Sequence, residues 1–366
     1  MSRCRSFAVR NNGWTPTAAG GLLGPGTTAG KGHSVSQTFR ALRVHQTPSG
    51  TSARIESLGL DALTAGDVLI RTRWAGINYK DSLAVTGKAK VLSGYPRVPG
   101  IELVGVVQAS ASPEFAVGSD VIVHGFQTGI DFDGSLSELV RAPAGHVMPI
   151  PPGLTPRDAA LLGVPAFTVA LALDRFEAAG LVPAAGAIAV SGASGAVGMA
   201  ALAILRRAGY EAVALSRRAD WVEPLMRLGA SEVLLVDAAV DDRRPLERGR
   251  FGAAIDNVGG SVLSWLLRSL SDHGQLASVG NASGIAFSTN VLPFILRQVT
   301  MFGIVANAAW PVRRRLWGRL ASDWKPDLSA LDAHVREIGL DDVPAHCEAQ
   351  VAGRSAGRTL VRFDTA

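Results

Sequence analysis

The folded part of the chain shows two different patterns of apolar and polar positions. From Phe39 onward, short apolar runs such as residues 67–74 and 121–124 are separated by glycine and proline. This punctuation is typical of short strands in a β-rich, partly barrel-like region. From Ala159 onward, strand-like and helix-like segments alternate. Such alternation predicts an α/β domain with a parallel, doubly wound sheet.

The alternating region predicts a series of elements in chain order. The predicted strands are residues 188–191, 211–215, 232–236, 253–256, 275–279 and 299–305, and the predicted helices are residues 166–179, 196–208, 221–228 and 261–269. Apolar side chains recur on one face of helix 196–208, so we expect this face to pack on the sheet. The last apolar segment, residues 358–363, predicts a strand that returns to the first domain.

These patterns divide the chain into a tail and two domains. We assign residues 39–162 and 304–366 to the β-rich domain and residues 163–303 to the α/β domain. Residues 1–38 are rich in Gly, Ser, Thr and Arg, and the first acidic residue of the chain is Glu56. An acid-free N-terminus that bears Arg and Ser resembles an organelle transit peptide. A disordered tail or an upstream start codon explains the same composition, so these interpretations stay open.

Composition favours a compact protein without a nucleic-acid or membrane partner. The 366 residues are 47% hydrophobic and 18% charged, with a formal net charge of +5. The basic residues are scattered and lack aromatic interleaving, which argues against nucleic-acid binding. Residues 178–205 carry no charge, but glycines and Pro183 divide them into strand, turn and helix rather than a membrane span. The two cysteines, Cys4 and Cys347, suggest no structural disulfide and a reducing, cytoplasmic location.

A glycine-rich turn follows the first strand of the alternating region. Its glycines stand at three-residue spacing just before helix 196–208. The backbone amides of such a turn and the positive N-terminal end of the following helix together bind a diphosphate. Glycine is needed because it has no Cβ atom to keep the phosphates from the backbone. The turn predicts a dinucleotide site formed by Gly192, Ser194, Gly195, Ala196, Val197 and Gly198.

The second strand of the alternating region ends without the carboxylate that usually binds the adenosine ribose. It ends instead in Ser216, Arg217 and Arg218. A hydroxyl group and two guanidinium groups suit a 2′-phosphate, which selects NADP over NAD. The alternative is that Arg217 and Arg218 are ordinary solvated charges.

Several short motifs occur together, in the order found in a known superfamily. They are residues 78–81 (Asn-Tyr-Lys-Asp), residues 99–101 (Pro-Gly-Ile), the glycine turn, and residues 253–259, 293–297 and 357–361. From about Phe39 to its end, the chain resembles the zinc-independent medium-chain dehydrogenase/reductase superfamily, and within it the quinone-oxidoreductase-like group that includes acrylyl-CoA reductases. The resemblance implies a GroES-like catalytic domain beside a Rossmann domain.

The resemblance also implies NADPH-dependent reduction of a C=C bond conjugated to a thioester. Tyr79, the glycine turn and residues 216–218 are then expected to contact the cofactor, with Asn281 and Ile295 beside the nicotinamide. We include Arg358 among the cofactor-binding residues.

Zinc catalysis is not predicted, and no metal-binding residues are assigned. The sequence lacks the cysteine and histidine ligand sets of zinc-dependent alcohol dehydrogenases. Glu102 follows Ile101, where those enzymes place a histidine, and one carboxylate cannot hold a metal alone. We expect Glu102 to be a structural carboxylate in a tight strand pair.

Asn78, Tyr79 and Asp81 are the candidate catalytic residues. Direct hydride transfer to an α,β-unsaturated carbonyl builds charge on the carbonyl oxygen, which needs hydrogen-bond donors and then a proton. Tyr79 is the candidate acid or cofactor-orienting hydroxyl, and Asn78 could orient the substrate carbonyl. Asp81 could hold Tyr79 or Lys80, or could cap a helix. Proton delivery from water is an alternative.

We therefore expect an NADPH-dependent reductase of short 2-enoyl thioesters that acts on a small-molecule substrate, and the resemblance implies a homodimer. An NADPH:quinone or enone oxidoreductase of the same fold is the alternative, and a catalytically idle nucleotide-binding protein is a third hypothesis. His124 and Arg297 are further candidates for substrate contact, although a structural role for His124 and a surface salt bridge for Arg297 are the competing interpretations.

Overall fold

The first half of the chain folds into a β-hairpin and most of a mixed sheet. The computed structural model describes residues 38–236 and 244–363. Its first elements are β1 (Phe39–Thr47), β2 (Gly50–Leu58), β3 (Val68–Ile77), α1 (Tyr79–Thr86), β4 (Glu102–Ser110), β5 (Asp120–His124), β6 (Leu139–Ala142) and β7 (Val147–Pro149). The strand β2, which pairs with β1, was not predicted, because only Leu58 at its end is buried and its pattern carries little apolar signal.

The second half contains the alternating strands and helices, followed by a helical segment and two last strands. Its elements are α2 (Pro156–Ala178), β8 (Ile188–Ser191), α3 (Ala196–Arg207), β9 (Ala212–Ser216), α4 (Val222–Leu228), β10 (Ala230–Leu235), β11 (Phe251–Asp256), α5 (Gly260–Ser269), β12 (Leu270–Ser278), α6 (Leu292–Arg297), β13 (Thr300–Gly303), α7 (Trp310–Leu320), α8 (Leu328–Asp332), β14 (Val335–Ile338), α9 (Val343–Val351) and β15 (Arg358–Arg362).

The alternating strands form a six-stranded sheet in which all pairs are parallel. Its strand order is β10-β9-β8-β11-β12-β13, so the order reverses between β8 and β11. This is the predicted doubly wound Rossmann-type sheet. Ligands of such sheets bind beyond the carboxyl ends of the strands, at the point where the order reverses. That point carries the glycine turn.

The mixed sheet brings four chain segments to one of its edges. Its order is β14-β15-β3-β4-β5-β7, and β6 also pairs with β3. Antiparallel register sets Ile77 beside Thr359 and Glu102 beside His124. The end of β3, the start of β4, the end of β5 and the start of β15 therefore share one edge, called here the site edge. The return of β15 to this sheet confirms the predicted last strand.

The helix α2 lies in a core that joins both sheets. Its buried residues pack in one cluster with Val104 and Ile122 of the mixed sheet and with Ile188 of the parallel sheet. Among the described residues, α2 alone is long and apolar enough to cross a membrane, and 83% of that apolar window is buried inside the fold. The helix is kinked at Gly163, where the predicted domain boundary falls, while the boundaries themselves stay predictions.

The helix α3 packs as its apolar face predicts. Ala201, Ile204 and Leu205 are fully buried, in the cluster that includes strands β8 and β9. A Cβ atom at Gly198 would lie 2.5 Å from the Cα atom of Ala193. The close approach of the helix to the glycine turn therefore requires glycine at this position.

Candidate active site

The predicted glycine turn lies against the mixed sheet. Gly192 has a φ of +58°, in the left-handed region, and the amide of Gly195 donates to the Gly192 carbonyl at 3.0 Å. The amide of Gly357 donates to the Ser194 carbonyl at 2.8 Å, which joins the turn to the residue just before β15. The glycine turn of the parallel sheet is therefore in direct contact with the chain segment that enters the site edge.

The residues predicted for the 2′-phosphate lie together at the carboxyl end of β9. Ser216 is buried, and its hydroxyl accepts from the Arg218 amide at 3.0 Å. Arg217 is exposed, whereas Arg218 is half-buried, with its Nη1 3.5 Å from Asp220. The donor set is one hydroxyl in a turn and two guanidinium groups, with no carboxylate at the strand end itself. This chemistry fits a phosphate monoester.

Asn281 and Ile295 are not brought together. Asn281 follows β12 on the edge that carries the glycine turn, and it is exposed. Ile295 is exposed on α6, close to Arg297, whose guanidinium donates to the Leu270 carbonyl at 2.7 Å. Because Leu270 begins β12, Ile295 lies toward the opposite edge of the sheet. The structure thus places Ile295 away from the turn, and Arg297 binds backbone carbonyls rather than a surface acid.

Asp81 caps the helix α1 and anchors the neighbouring loop. Its Oδ2 accepts from the amide of Asn78 at 2.8 Å, and its Oδ1 accepts from the amide of Ile101 at 3.0 Å. Asp81 is buried, and this burial, with nearby Glu102 adding to it, raises the pKa of its carboxyl to about 7. The structure therefore supports the alternative in which Asp81 caps the helix. The prediction that Asp81 holds Tyr79 or Lys80 is wrong, because both carboxylate oxygens bind the backbone amides of other residues.

Glu102 joins four segments at the site edge. Its Oε1 accepts from Asn78 Nδ2 at 2.7 Å and from Arg358 Nη1 at 3.0 Å, and its Oε2 accepts from the Val164 amide at 2.7 Å. A Cβ atom at Gly163 would overlap this carboxylate. Glu102 is therefore the structural carboxylate that the sequence predicted, and the amide nitrogen of Asn78 is committed to it.

Arg358 is buried in the same network. Its Nε and Nη2 donate to the Ala160 carbonyl at 3.3 and 2.8 Å, and its Nη1 forms the ion pair with Glu102. Direct contact with a cofactor would require these bonds to break. The structure thus gives Arg358 a structural partner in place of the predicted cofactor contact.

Tyr79 is the predicted catalytic residue whose polar group is available. It begins α1, at the end of β3, and is half-buried. Within residues 38–236 and 244–363, its hydroxyl makes no hydrogen bond to the protein. A half-buried hydroxyl without a protein partner can donate to a bound molecule.

His124 belongs to a buried cluster that includes two residues missed by sequence analysis, Arg313 and Trp317. Trp317 Nε1 donates to His124 Nε2 at 2.8 Å, and Arg313 Nη1 lies 2.9 Å from the same ring nitrogen. Burial, and then Arg313, lower the pKa of His124 well below its usual range. The histidine is therefore neutral and structural. Its partners lie on α7, and no sequence motif near His124 predicts these contacts.

No metal cluster was found in the described chain. Among residues 38–236 and 244–363, no group of three or more His, Cys, Asp or Glu side chains could hold a metal ion. The absence of zinc stays a prediction.

Two protein-family models match the parts of the chain that form most of the mixed sheet and most of the parallel sheet. Residues 64–152 match the family model described as alcohol dehydrogenase GroES-like domain, and residues 196–322 match that described as zinc-binding dehydrogenase. The chain is 38% identical to the probable acrylyl-CoA reductase AcuI of Escherichia coli, over 89% of this chain and 100% of that protein. It is 34% identical to the putative quinone oxidoreductase YhfP of Bacillus subtilis, over 90% and 100% of the two chains.

A solved structure shows the same architecture. The yhdH oxidoreductase from Salmonella enterica, in complex with NADP, superposes with a TM-score of 0.83 at 37% identity, covering 89% of this chain and 100% of that one. The fold predicted from sequence is confirmed over its GroES-like and Rossmann parts. This chain therefore belongs to the medium-chain dehydrogenase/reductase superfamily of oxidoreductases.

Proposed function

We propose that this protein is an NADPH-dependent reductase of the C=C bond of short 2-enoyl thioesters such as acrylyl-CoA. The observation that carries the proposal is the bond between Gly357 and Ser194, which holds the glycine turn against the site edge that bears Tyr79. A nucleotide on the turn would extend toward that edge. The choice of a thioester rests on the full-length similarity to a protein named acrylyl-CoA reductase.

The cofactor proposal rests on the fit of the residues present. The glycine turn would hold the diphosphate, and Ser216, Arg217 and Arg218 would hold the 2′-phosphate of NADP. The related Salmonella structure contains NADP. When bound, NADPH supplies the hydride that is added to the β-carbon of the enoyl group.

The residues of the site edge supply the remaining chemistry. As the β-carbon is reduced, negative charge builds on the thioester carbonyl oxygen and calls for a donor. The Tyr79 hydroxyl is the candidate for that donor or for the proton source, with water as the alternative source. The Asn78 amide nitrogen and both Asp81 oxygens already have protein partners. These two residues therefore position the Tyr79 segment rather than touch the substrate.

A panel of acceptors tests the function. NADPH oxidation is followed with acrylyl-CoA, longer enoyl-CoA thioesters, simple enones and quinones. Fastest turnover of a short enoyl thioester is expected, and absence of its turnover would refute the thioester assignment. Preference for a quinone would support the second candidate, which the similarity to YhfP favours. NADPH binding without turnover of any acceptor would indicate the idle nucleotide-binding protein.

Replacement of Tyr79 by phenylalanine tests its role. Loss of a donor to a developing oxyanion lowers kcat by about 10²-fold, so we expect a fall of that order while the NADPH dissociation constant stays unchanged. The control is Tyr210→Phe, which removes a hydroxyl that donates to the Leu181 carbonyl away from the site edge. An unchanged kcat in Tyr79→Phe would leave Tyr79 as a packing residue.

A further inference from the structure

Three successive residues after β5 have a left-handed backbone conformation, which is sterically disfavoured for the two that are not glycine, Phe126 and Gln127. Gly125, Phe126 and Gln127 have φ values of 76°, 50° and 63°. Residues other than glycine rarely adopt φ values in this left-handed region. Such conformations persist only where the surroundings impose them, and they cluster at functional sites.

Residues 125–127 leave the site edge close to the candidate active site. They follow His124 at the end of β5, whereas Tyr79 follows the end of β3, and β4 lies between the two strands. Neighbouring strands lie about 4.8 Å apart, so the two segments are about 10 Å apart where they leave the sheet. One small-molecule acceptor could contact both.

Arg313 fixes this turn from beneath. Its Nη1 donates to the His124 carbonyl at 3.1 Å, and its Nη2 donates to Asn307 Oδ1 at 3.0 Å. Its guanidinium carbon lies 4.5 Å from the centre of the Phe126 ring. Asn307 belongs to the loop after β13, so Arg313 ties the strained turn to the parallel sheet.

The positive charge of Arg313 has no acidic partner. The side chain is 1% exposed, and in the described parts of the chain it forms no ion pair with a carboxylate. Its Nε has no hydrogen-bond partner there, and burial lowers the pKa of the guanidinium to about 10. Aromatic rings and neutral His124 surround it instead. A buried charge of this kind is a poor source of stability, which points to a functional reason for it.

The half-buried ring of Phe126 contacts two other rings. It stacks on His146 at 4.8 Å and on Trp310 at 5.4 Å between ring centres. We propose that Arg313 is a positioning residue that holds residues 125–127 and the Phe126 ring as a wall of the acceptor site, against which the acceptor is placed. This inference rests on the proposed function, because it concerns the acceptor side of the proposed active site.

Steady-state kinetics of Arg313→Met, Arg313→Lys and the control Arg315→Met test the proposal. Arg315 lies on the same helix but is exposed and pairs with Asp174. The acceptor is whichever panel compound the wild type reduces best. Arg313→Met is expected to raise the acceptor KM about tenfold or more, as for loss of a charged hydrogen bond, while kcat and the NADPH dissociation constant stay near wild type. Arg313→Lys should recover part of the loss, and Arg315→Met should match the wild type.

A second variant keeps the proposal falsifiable if Arg313→Met fails to fold. Phe126→Ala removes the wall but keeps the buried cation, and should raise the acceptor KM selectively. An unchanged acceptor KM in either folded variant would overturn the proposal. A rise in acceptor KM accompanied by an equal weakening of NADPH binding would also overturn the proposal, since it indicates a general structural role.

Failure of the proposed function would be recognised separately. If the wild type reduces no acceptor in the panel, the function is wrong, and hydrogen exchange then decides the positioning role. Faster exchange at residues 125–132 in Arg313→Met, with residues 78–81 unchanged, would support it. Unchanged exchange at residues 125–132 would overturn it.

Discussion

At the scale of single residues, hydrogen bonding separates the roles of Asp81 and Tyr79. Both lie in the motif from which the catalytic residues were predicted, two residues apart on one short helix. Asp81 is buried with each oxygen bound to a backbone amide, whereas the Tyr79 hydroxyl has no hydrogen-bond partner among the residues that the structure describes. The motif can therefore be recognised in the sequence. Which of its residues can react and which only position the others depends on which polar atoms already have hydrogen-bond partners in the folded protein.

The buried carboxyl of Asp81 is expected to leave a signature in stability against pH. Its pKa is raised to about 7 by burial, against about 4 for an unfolded chain. The folded state thus binds the proton more tightly, and this contribution to the free energy of unfolding is complete below pH 4 and lost as pH rises to about 7. Urea unfolding of Asp81→Asn between pH 4 and 8 should show a flatter dependence than the wild type.

The control for Asp81→Asn is Asp61→Asn, since Asp61 is exposed and should leave the pH dependence unchanged. If Asp81→Asn keeps the wild-type slope, Asp81 does not titrate in this range.

Arg217 and Arg218 are expected to decide the choice of nucleotide. The double variant Arg217→Ala/Arg218→Ala removes both guanidinium groups from the end of β9 and should weaken NADPH binding about ten- to a hundredfold, the cost of one good charged contact. NADH binding should change little, because NADH lacks the 2′-phosphate. Fluorescence titration with both nucleotides measures this, with exposed Arg207→Ala as the control. Equal weakening of both nucleotides would contradict the 2′-phosphate role.

At the scale of elements, the Glu102–Arg358 ion pair holds the site edge together. The pair joins β4 to β15, and the remaining Glu102 bonds reach the start of α1 and the kink of α2. The strands themselves were largely predictable, because their apolar residues are close in sequence. The pair was not predictable, since its members are separated by 256 positions and each had a different expected role.

Breaking this ion pair should destabilise the fold. Arg358→Met leaves a buried carboxylate without its partner, which costs about 3–5 kcal/mol. The double variant Glu102→Gln/Arg358→Met removes both charges, so its loss should be smaller than the sum of the single losses. Urea unfolding of all three variants gives the coupling, with Arg362→Met, which breaks an exposed pair with Glu337, as the control. Additive losses would show that the pair is not coupled.

At the scale of the whole molecule, the parallel sheet ends in an edge with apolar surroundings. In the described chain, β13 is its last strand on that side. Large apolar side chains in the segments that precede and follow β13 are exposed: Ile285, Val291, Ile295, Leu296 and Val305. Open strand edges and contiguous apolar surface are typical of association sites. The homodimer therefore stays a prediction, with this edge as the expected contact.

Light scattering after size-exclusion chromatography tests the assembly. We expect a mass of twice the 38.1 kDa chain, and Leu296→Glu should shift it toward one chain, because a charge buried at the contact is unfavourable. Val182→Glu is the control, since Val182 is exposed outside this edge. A wild-type mass of one chain would contradict the predicted dimer.

The sequence by itself determined the alternation of strands and helices, the glycine turn and the absence of a carboxylate after β9. These features depend on backbone geometry and apolar spacing, which neighbouring residues set. Only the tertiary structure decided that Arg358 pairs with Glu102, that Arg313 supports the turn after β5, and that Ile295 lies away from the glycine turn. The reason is physical: a polar side chain takes its role from the partner that packing brings to it, and here the partners come from distant parts of the chain.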